Sequence, residues 1–151
     1  MPHFDEFYEK DFDNAKIACE FNPKARVVVE KLKAKNISII LTTNPIFPKI
    51  ATLKRISWAG LNANDFEFIT TYENSSFCKP NLEYYKSIVE KFNIDPSTCL
   101  MVGNDVDEDM VAENIGMKVF LLTDCIINKN NSNIFKYPHG NFDDLLNYLN
   151  N

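Results

Sequence analysis

The sequence predicts an open α/β fold of three layers, with helices covering both faces of a mostly parallel sheet. Three observations carry that expectation. The segments ISIIL (37–41), TCLMV (98–102) and KVFLL (118–122) are almost continuously apolar and bounded by polar residues or glycine, as strands buried on both faces should be. The segments around them repeat apolar residues at helical spacing: Ala25, Val28, Val29 and Leu32; Tyr85, Ile88, Val89 and Phe92; Phe142, Leu145, Leu146 and Leu149. Strand and helix alternate from about residue 23 to the end, which is the pattern of a doubly covered sheet. With 151 residues, 45% of them hydrophobic, the chain can bury one core but is short for two domains.

The elements follow in order. Phe4, Phe7, Tyr8, Phe12 and Ala15 fall on one face of a helix. Asn22 before Pro23 sets a cap and a first-turn proline at the start of the next helix. The strand ISIIL runs into TTNP (42–45), whose hydroxyls stand at a strand end and whose Asn44-Pro45 opens a turn. The following helix should stop near Gly60, with Trp58 as a packing residue. Lys79, in CKP (78–80), precedes a helix beginning at Pro80 or Asn81. An ammonium there opposes the helix dipole, so a negative partner is expected nearby. After TCLMV comes VGNDVDEDM (102–110), then a helix from about Val106 that ends at Gly116. INKNNSN (127–133) reads as an exposed loop, and Asn141 caps a last helix with Asp143 and Asp144 in its first turn.

In an open α/β sheet, ligands sit beyond the carboxyl ends of the strands, so TTNP and the acidic cluster should share a rim. Asp105, Asp107 and Asp109 alternate as in a calcium loop, but Met110 stands where that loop needs glycine and Gly116 where it needs glutamate. A helix from Val106 would put Asp105 and Asp109 on one side and turn Asp107 and Glu108 toward solvent. Two converging carboxylates suit Mg²⁺, which keeps several waters and shares its shell with a phosphate. Acids also favour the first turn of any helix, and the cluster alone leaves both readings open.

Composition excludes several classes. A net charge of −5, a pI near 5.0 and 16 scattered basic residues give no electrostatic footprint for nucleic acid. Cys19, Cys78, Cys99 and Cys125 form no CxxC pair, and no segment reads as a signal peptide or membrane span, which points to the reducing cytoplasm. The two histidines, His3 and His139, lie too far apart in sequence to suggest a metal or base pair.

Strand-end Thr-Asn, then Lys-Pro opening a helix, then Gly-Asn-Asp with a second Asp four residues on, resembles in this order the haloacid dehalogenase-like (HAD) hydrolase superfamily. The resemblance spans residues 23 to about 150; DMVAENIGMKVFLLTD and YPHGNFDDLLNYL fit its later helices and strand. It implies a Rossmann-type, HAD-like fold and a Mg²⁺-dependent phosphomonoesterase acting on a small phosphorylated molecule. It also implies that Thr43 and the backbone N–H of Asn44 hold a phosphoryl oxygen. Lys79 would neutralise nucleophile and phosphate, and Asp105 and Asp109 would place the metal. Gly-Asn-Asp departs from the family's commoner Gly-Asp, which leaves open whether Asp105 or Asp109 is the direct ligand; Asp105 is favoured.

The family's nucleophile is the first Asp of Asp-x-Asp-x-Thr at the end of an apolar strand. The only Asp-x-Asp before Thr43 is DFDNA, Asp11 and Asp13, where Ala15 replaces the Thr and PHFDEFYEK is no buried strand. The resemblance therefore implies a chain corresponding to the C-terminal portion of a capped enzyme. Residues 1–22 would be the end of a helical cap and residues 23–151 the core, without its first strand and with little or no activity alone. In the family that strand lies between those carrying Thr43 and Asp105, so two inner edges should be left unpaired or forced together, and the phenylalanine-rich first helix should favour self-association or a complementing chain. A non-catalytic subunit working through association is the alternative.

Overall fold

All strand ladders among the described residues are parallel. The computed structural model describes residues 2–151, with side chains from Phe4 onward. By contacts the chain divides into two compact units, the first reaching Ser76 and the second spanning Phe77–Asn151.

The first unit opens with α1 (Pro2–Glu6), continued by a wider π turn at Phe7–Asp11 and a tighter 3₁₀ turn at Phe12–Ala18. The expected helix is thus present but irregular, and its aromatic face is packed. The Phe12 ring lies 5.1 Å from Trp58 and 6.2 Å from Phe47, and Tyr8 lies 5.2 Å from Phe12. Trp58 is the packing residue that its position suggested. Lys54 fastens the same arm by donating to the Glu9 carbonyl and the Asp13 carboxylate, each at 2.8 Å. Phe4 and Phe7 nevertheless remain 65% and 45% exposed.

Helix α2 (Lys24–Ala34) buries Val28 and Val29, and Asn22 caps it by accepting from the Lys24 amide at 3.0 Å. The following strand is shorter than its apolar run. Only Ile40–Leu41 forms β1, paired with β2 (Phe68–Ile69) in a two-stranded sheet, and Ile37 is largely exposed. Helix α3 (Lys49–Trp58) buries Ala51, Thr52 and Ile56 and ends as predicted at Gly60, whose φ of 71° suits glycine.

In the second unit α4 (Leu82–Lys91) buries Tyr85, Ile88 and Val89, as their periodicity suggested, and Tyr84 with them, while Phe92 is only half-buried. The sheet has the order β3 (Leu100–Gly103), β4 (Lys118–Leu122), β5 (His139–Gly140), so KVFLL is the central strand. Both β1 and β3 are edge strands of their own sheets. Helix α5 (Phe142–Tyr148) begins with the predicted cap: Asn141 accepts from the amides of Asp143 and Asp144, and Asp144 returns a bond to the Asn141 amide.

The main correction lies at residues 104–115. In place of a helix from Val106 there is a turn followed by a 3₁₀ segment, Met110–Ile115, closed by Gly116 at φ 94°. Aspartate side chains take the amides of this segment, so side-chain capping replaces the helical ladder. Among the described residues no helix is long and apolar enough to cross a membrane.

Candidate active site

Strand β3 ends at Gly103, and the absence of a side chain there is a requirement. A Cβ on Gly103 would lie 2.2 Å from Oδ2 of Asp109. The space that glycine leaves lets the Asp109 carboxylate lie on the backbone. Its Oδ2 accepts from the amides of Asn104 and Asp105, each at 3.0 Å, and its Oδ1 accepts from the Lys79 ammonium at 2.5 Å. The side chains of Lys79 and Asp109 are only 5% and 7% exposed, so the pair is desolvated and each charge depends on the other. This is the negative partner that Lys79 requires ahead of α4.

Two aromatic rings complete the surroundings of Lys79. Its Nζ lies 5.9 Å from the Tyr84 ring and 5.8 Å from the Tyr85 ring, which are packed edge to face against each other. The Tyr85 hydroxyl donates to the carbonyl of Glu108 at 2.6 Å and so ties α4 to the residue next to Asp109. Burial first, and then the negative charge of Asp109, push the Tyr85 phenol far above its ordinary value. Both effects favour the neutral phenol, the form that donates to Glu108.

Asp105, 8% exposed, is held differently. Its Oδ1 accepts from the amides of Asp107 and Glu108, each at 3.0 Å. Its backbone pairs in parallel with Ile127 through Val106 N–H to the Ile127 carbonyl at 3.0 Å and Ile127 N–H to the Asn104 carbonyl at 2.8 Å. Asp107 does not simply face solvent, as its place in a helix would have had it. The turn brings it to Asn130, whose side-chain amide donates to it at 2.8 Å.

Thr43 and Asn44 follow β1 in the first unit. Thr43 donates its hydroxyl to the Thr70 carbonyl at 2.9 Å, and Thr70 donates to the Thr43 carbonyl at 3.0 Å. This reciprocal clamp fixes the loop that holds the Thr43 hydroxyl and the Asn44 amide. Thr70, fully buried, had no motif to mark it; the sole hint is a second Thr-Thr pair at the end of a short apolar run. Asp11 and Asp13 lie on the helical arm, with Asp13 paired to Lys54. His139 is engaged by the Tyr137 carbonyl at 2.8 Å and meets Phe135 edge to face, a packing role; the side chain of His3 lies outside those described. The four cysteines are unpaired.

Lys79, Asp105 and Asp109 therefore meet in the second unit. Among the described residues no three of His, Cys, Asp and Glu gather into a full cation cage. Asp109 spends both oxygens inside the protein, which leaves Asp105 as the carboxylate suited to a cation that needs few protein ligands. That donor set fits partly hydrated Mg²⁺ and does not fit a calcium or zinc cage.

A model of haloacid dehalogenase-like hydrolases matches residues 3–116. The chain belongs to this family. The solved structures agree at the level of fold. An HAD phosphatase from Thermococcus onnurineus superposes with a TM-score of 0.71 at 19% identity, covering 94% of this chain and 64% of that one. A protein described as a predicted phosphoglycolate phosphatase from Haemophilus somnus 129pt gives 0.74 at 20% identity, covering 97% and 63%. An L-2-haloacid dehalogenase gives 0.66 at 17% identity, covering 86% and 56%. The chain thus spans less than two thirds of the length of each of these HAD relatives. A search of curated proteins returns no match. The family match ends at Gly116, the residue that closes the acidic loop and its 3₁₀ segment, so it includes Thr43, Lys79, Asp105 and Asp109.

Proposed function

We propose that the chain carries the phosphate- and Mg²⁺-binding part of a phosphomonoester hydrolase and has little or no activity alone. The observation that supports this most is the buried Lys79–Asp109 pair beside the held carboxylate of Asp105. In this reading Asp105 is the metal ligand, and Asp109 is the residue that orients Lys79 and neutralises it while no phosphate is present. A phosphate arriving near Lys79 would share the ammonium with Asp109, which lets the charge follow the substrate at small reorganisation cost. Within the first unit, the Asn44 amide and the Thr43 hydroxyl, once it is released from the Thr70 carbonyl, are assigned to a phosphoryl oxygen. Bound at Asp105, Mg²⁺ would supply electrostatic stabilisation to the phosphoryl oxygens.

The nucleophilic aspartate is assigned to a strand outside these 151 residues. Asp11 and Asp13 sit on a helical arm, and β1 and β3 are both edge strands able to accept a neighbour. Residues 1–22 then correspond to the end of a helical cap and residues 23–151 to the core. Four unpaired cysteines suit a cytoplasmic setting. A second reading, a subunit acting through association, is favoured by exposed Phe4, Phe7, Ile17 and Phe21.

The test combines Mn²⁺ binding, followed by water-proton relaxation, with hydrolysis of p-nitrophenyl phosphate in Mg²⁺. Wild type should bind the cation, Asp105→Asn should weaken binding at least about tenfold, and Asp13→Asn should leave it unchanged. Equal binding by Asp105→Asn overturns the metal assignment. Turnover by the pure chain that disappears in Asp11→Asn overturns the assignment of the nucleophile to another segment. A clean monomer in size-exclusion chromatography with light scattering counts against the association reading.

A further inference from the structure

Asn104 stands where the family more often has the aspartate of Gly-Asp, and its contacts show what an asparagine does there. Its amide N–H donates to Asp109 at 3.0 Å, its carbonyl accepts from the Ile127 amide at 2.8 Å, and its side-chain Nδ2 donates to the Cys125 carbonyl at 2.6 Å. Two of these three bonds reach the segment after β4. That segment has no regular structure from Thr123 to Asn133 and buries none of its side chains; Ile126 and Ile127 are 37% and 40% exposed. With so little apolar burial, polar contacts decide whether it is ordered. Asn128 and Ser132 close it on itself through two bonds of 2.9 Å. It is then anchored to the acidic loop at three points: Cys125 to Asn104, Ile127 to the backbone on both sides of Asp105, and Asn130 to Asp107. The amides of Asp107 and Glu108, which orient the Asp105 carboxylate, lie at the end of the span so clamped and one residue beyond it.

We propose that Asn104 is a positioning residue: by holding the strap of residues 125–130 against the acidic loop, it sets the orientation of the Asp105 carboxylate. The consequence for cation binding rests on the reading of Asp105 as the metal ligand. An aspartate at 104 would place a carboxylate against the Cys125 carbonyl and lose the donor, so this chain needs the amide in particular. Strap order and cation binding are then linked and reinforce each other.

The test is amide hydrogen exchange in the metal-free protein, paired with Mn²⁺ titration. In both Asn104→Ala and Asn104→Asp the amides of Val106, Asp107, Glu108 and Ile127 should exchange roughly five- to tenfold faster, the equivalent of about one net hydrogen bond, while Val119–Leu121 in β4 keep their rates. Unchanged exchange at those four amides overturns the proposal. If Asn104→Ala fails to fold, Asn130→Ala removes one exposed anchor and should give the same pattern at roughly two- to threefold; no effect there overturns it too. Where wild type binds Mn²⁺, Asn104→Ala should bind several-fold more weakly, and equal affinity overturns the link to the cation. No binding by wild type sinks the metal reading alone, because the positioning of Asp105 is judged on the amides.

Discussion

The two units of the chain bury their weight differently. Of the 17 buried apolar residues among those described, Val28, Val29, Ala51 and Ile56 lie in the first unit and the other 13 in the second. The first unit also exposes eight large apolar side chains, from Phe4 to Tyr72, against five in the second. Their polar interiors differ in kind as well. The first is held by hydroxyls, with Thr43 and Thr70 bonded to each other's carbonyls, whereas the second encloses a full ion pair. A desolvated pair tolerates no loss of one partner, while a hydroxyl clamp degrades by single bonds. The unit with the larger core is therefore the one that can hold a buried charge in place.

The largest expected effect breaks the second unit. Asp109→Ala should cost about 3–5 kcal/mol, read from urea unfolding, because it leaves the Lys79 ammonium buried alone and two amides without their acceptor. Replacing both partners, as Lys79→Met with Asp109→Leu, should recover much of that loss. A cost under about 1 kcal/mol for the single change would show that water reaches the pair. Next in size is the contrast between units. Amides of β4 should exchange at least about a hundredfold more slowly than those flanking β1, since local opening follows the apolar area that holds each region. Equal protection would remove the comparison altogether.

A smaller effect is expected at the hydroxyl clamp. Thr70→Val keeps the shape and removes the donor to the Thr43 carbonyl, for a cost of about 1–2 kcal/mol in a thermal melt followed by the fluorescence of Trp58. The smallest effect is at Glu73, which accepts from the Lys49 amide at 2.9 and 3.0 Å and so caps α3. Burial alone would raise its pKa, but the hydrogen bonds from Lys49 and Thr71 prevail and hold it below the ordinary value. A lowered folded value stabilises the protein above the unfolded pKa and is lost as pH falls through the folded one. Glu73→Gln should thus cost a few tenths of a kcal/mol near neutrality, given its exposure, and the gap from wild type should close as pH falls below about 4.5.

What was legible in the sequence was mostly local. Asn22 and Asn141 cap the helices they precede, Gly60 and Gly116 end theirs, and the faces carrying Val28 and Ile88 are buried, since each depends on neighbours within about one turn. The need for a negative partner at Lys79 was legible too, as a demand of the helix dipole. The features that escaped are set by distant contacts. Tyr85 reads as a core residue and Tyr84 carried no signal, and only the fold brings both to Lys79. A helix was expected from Val106, but the Val106 amide goes to the Ile127 carbonyl and Asp109 folds back onto the amides of Asn104 and Asp105, contacts that the local sequence does not show. INKNNSN was correctly a loop, yet nothing in its composition told that it would grip the acidic loop through Ile127 and Asn130.

Gly103 gives the acidic loop an evolutionary weak point. Any mutation of its codon to another residue adds at least a Cβ, and that carbon falls on the Asp109 carboxylate. Displacing the carboxylate would strip two amides of their acceptor and Lys79 of its counter-ion in a single step. The side chain at 108 can therefore vary far more freely than Gly103, the last residue of β3. The residue with no side chain is the one through which a substitution reaches Asp109, Lys79 and two loop amides at once.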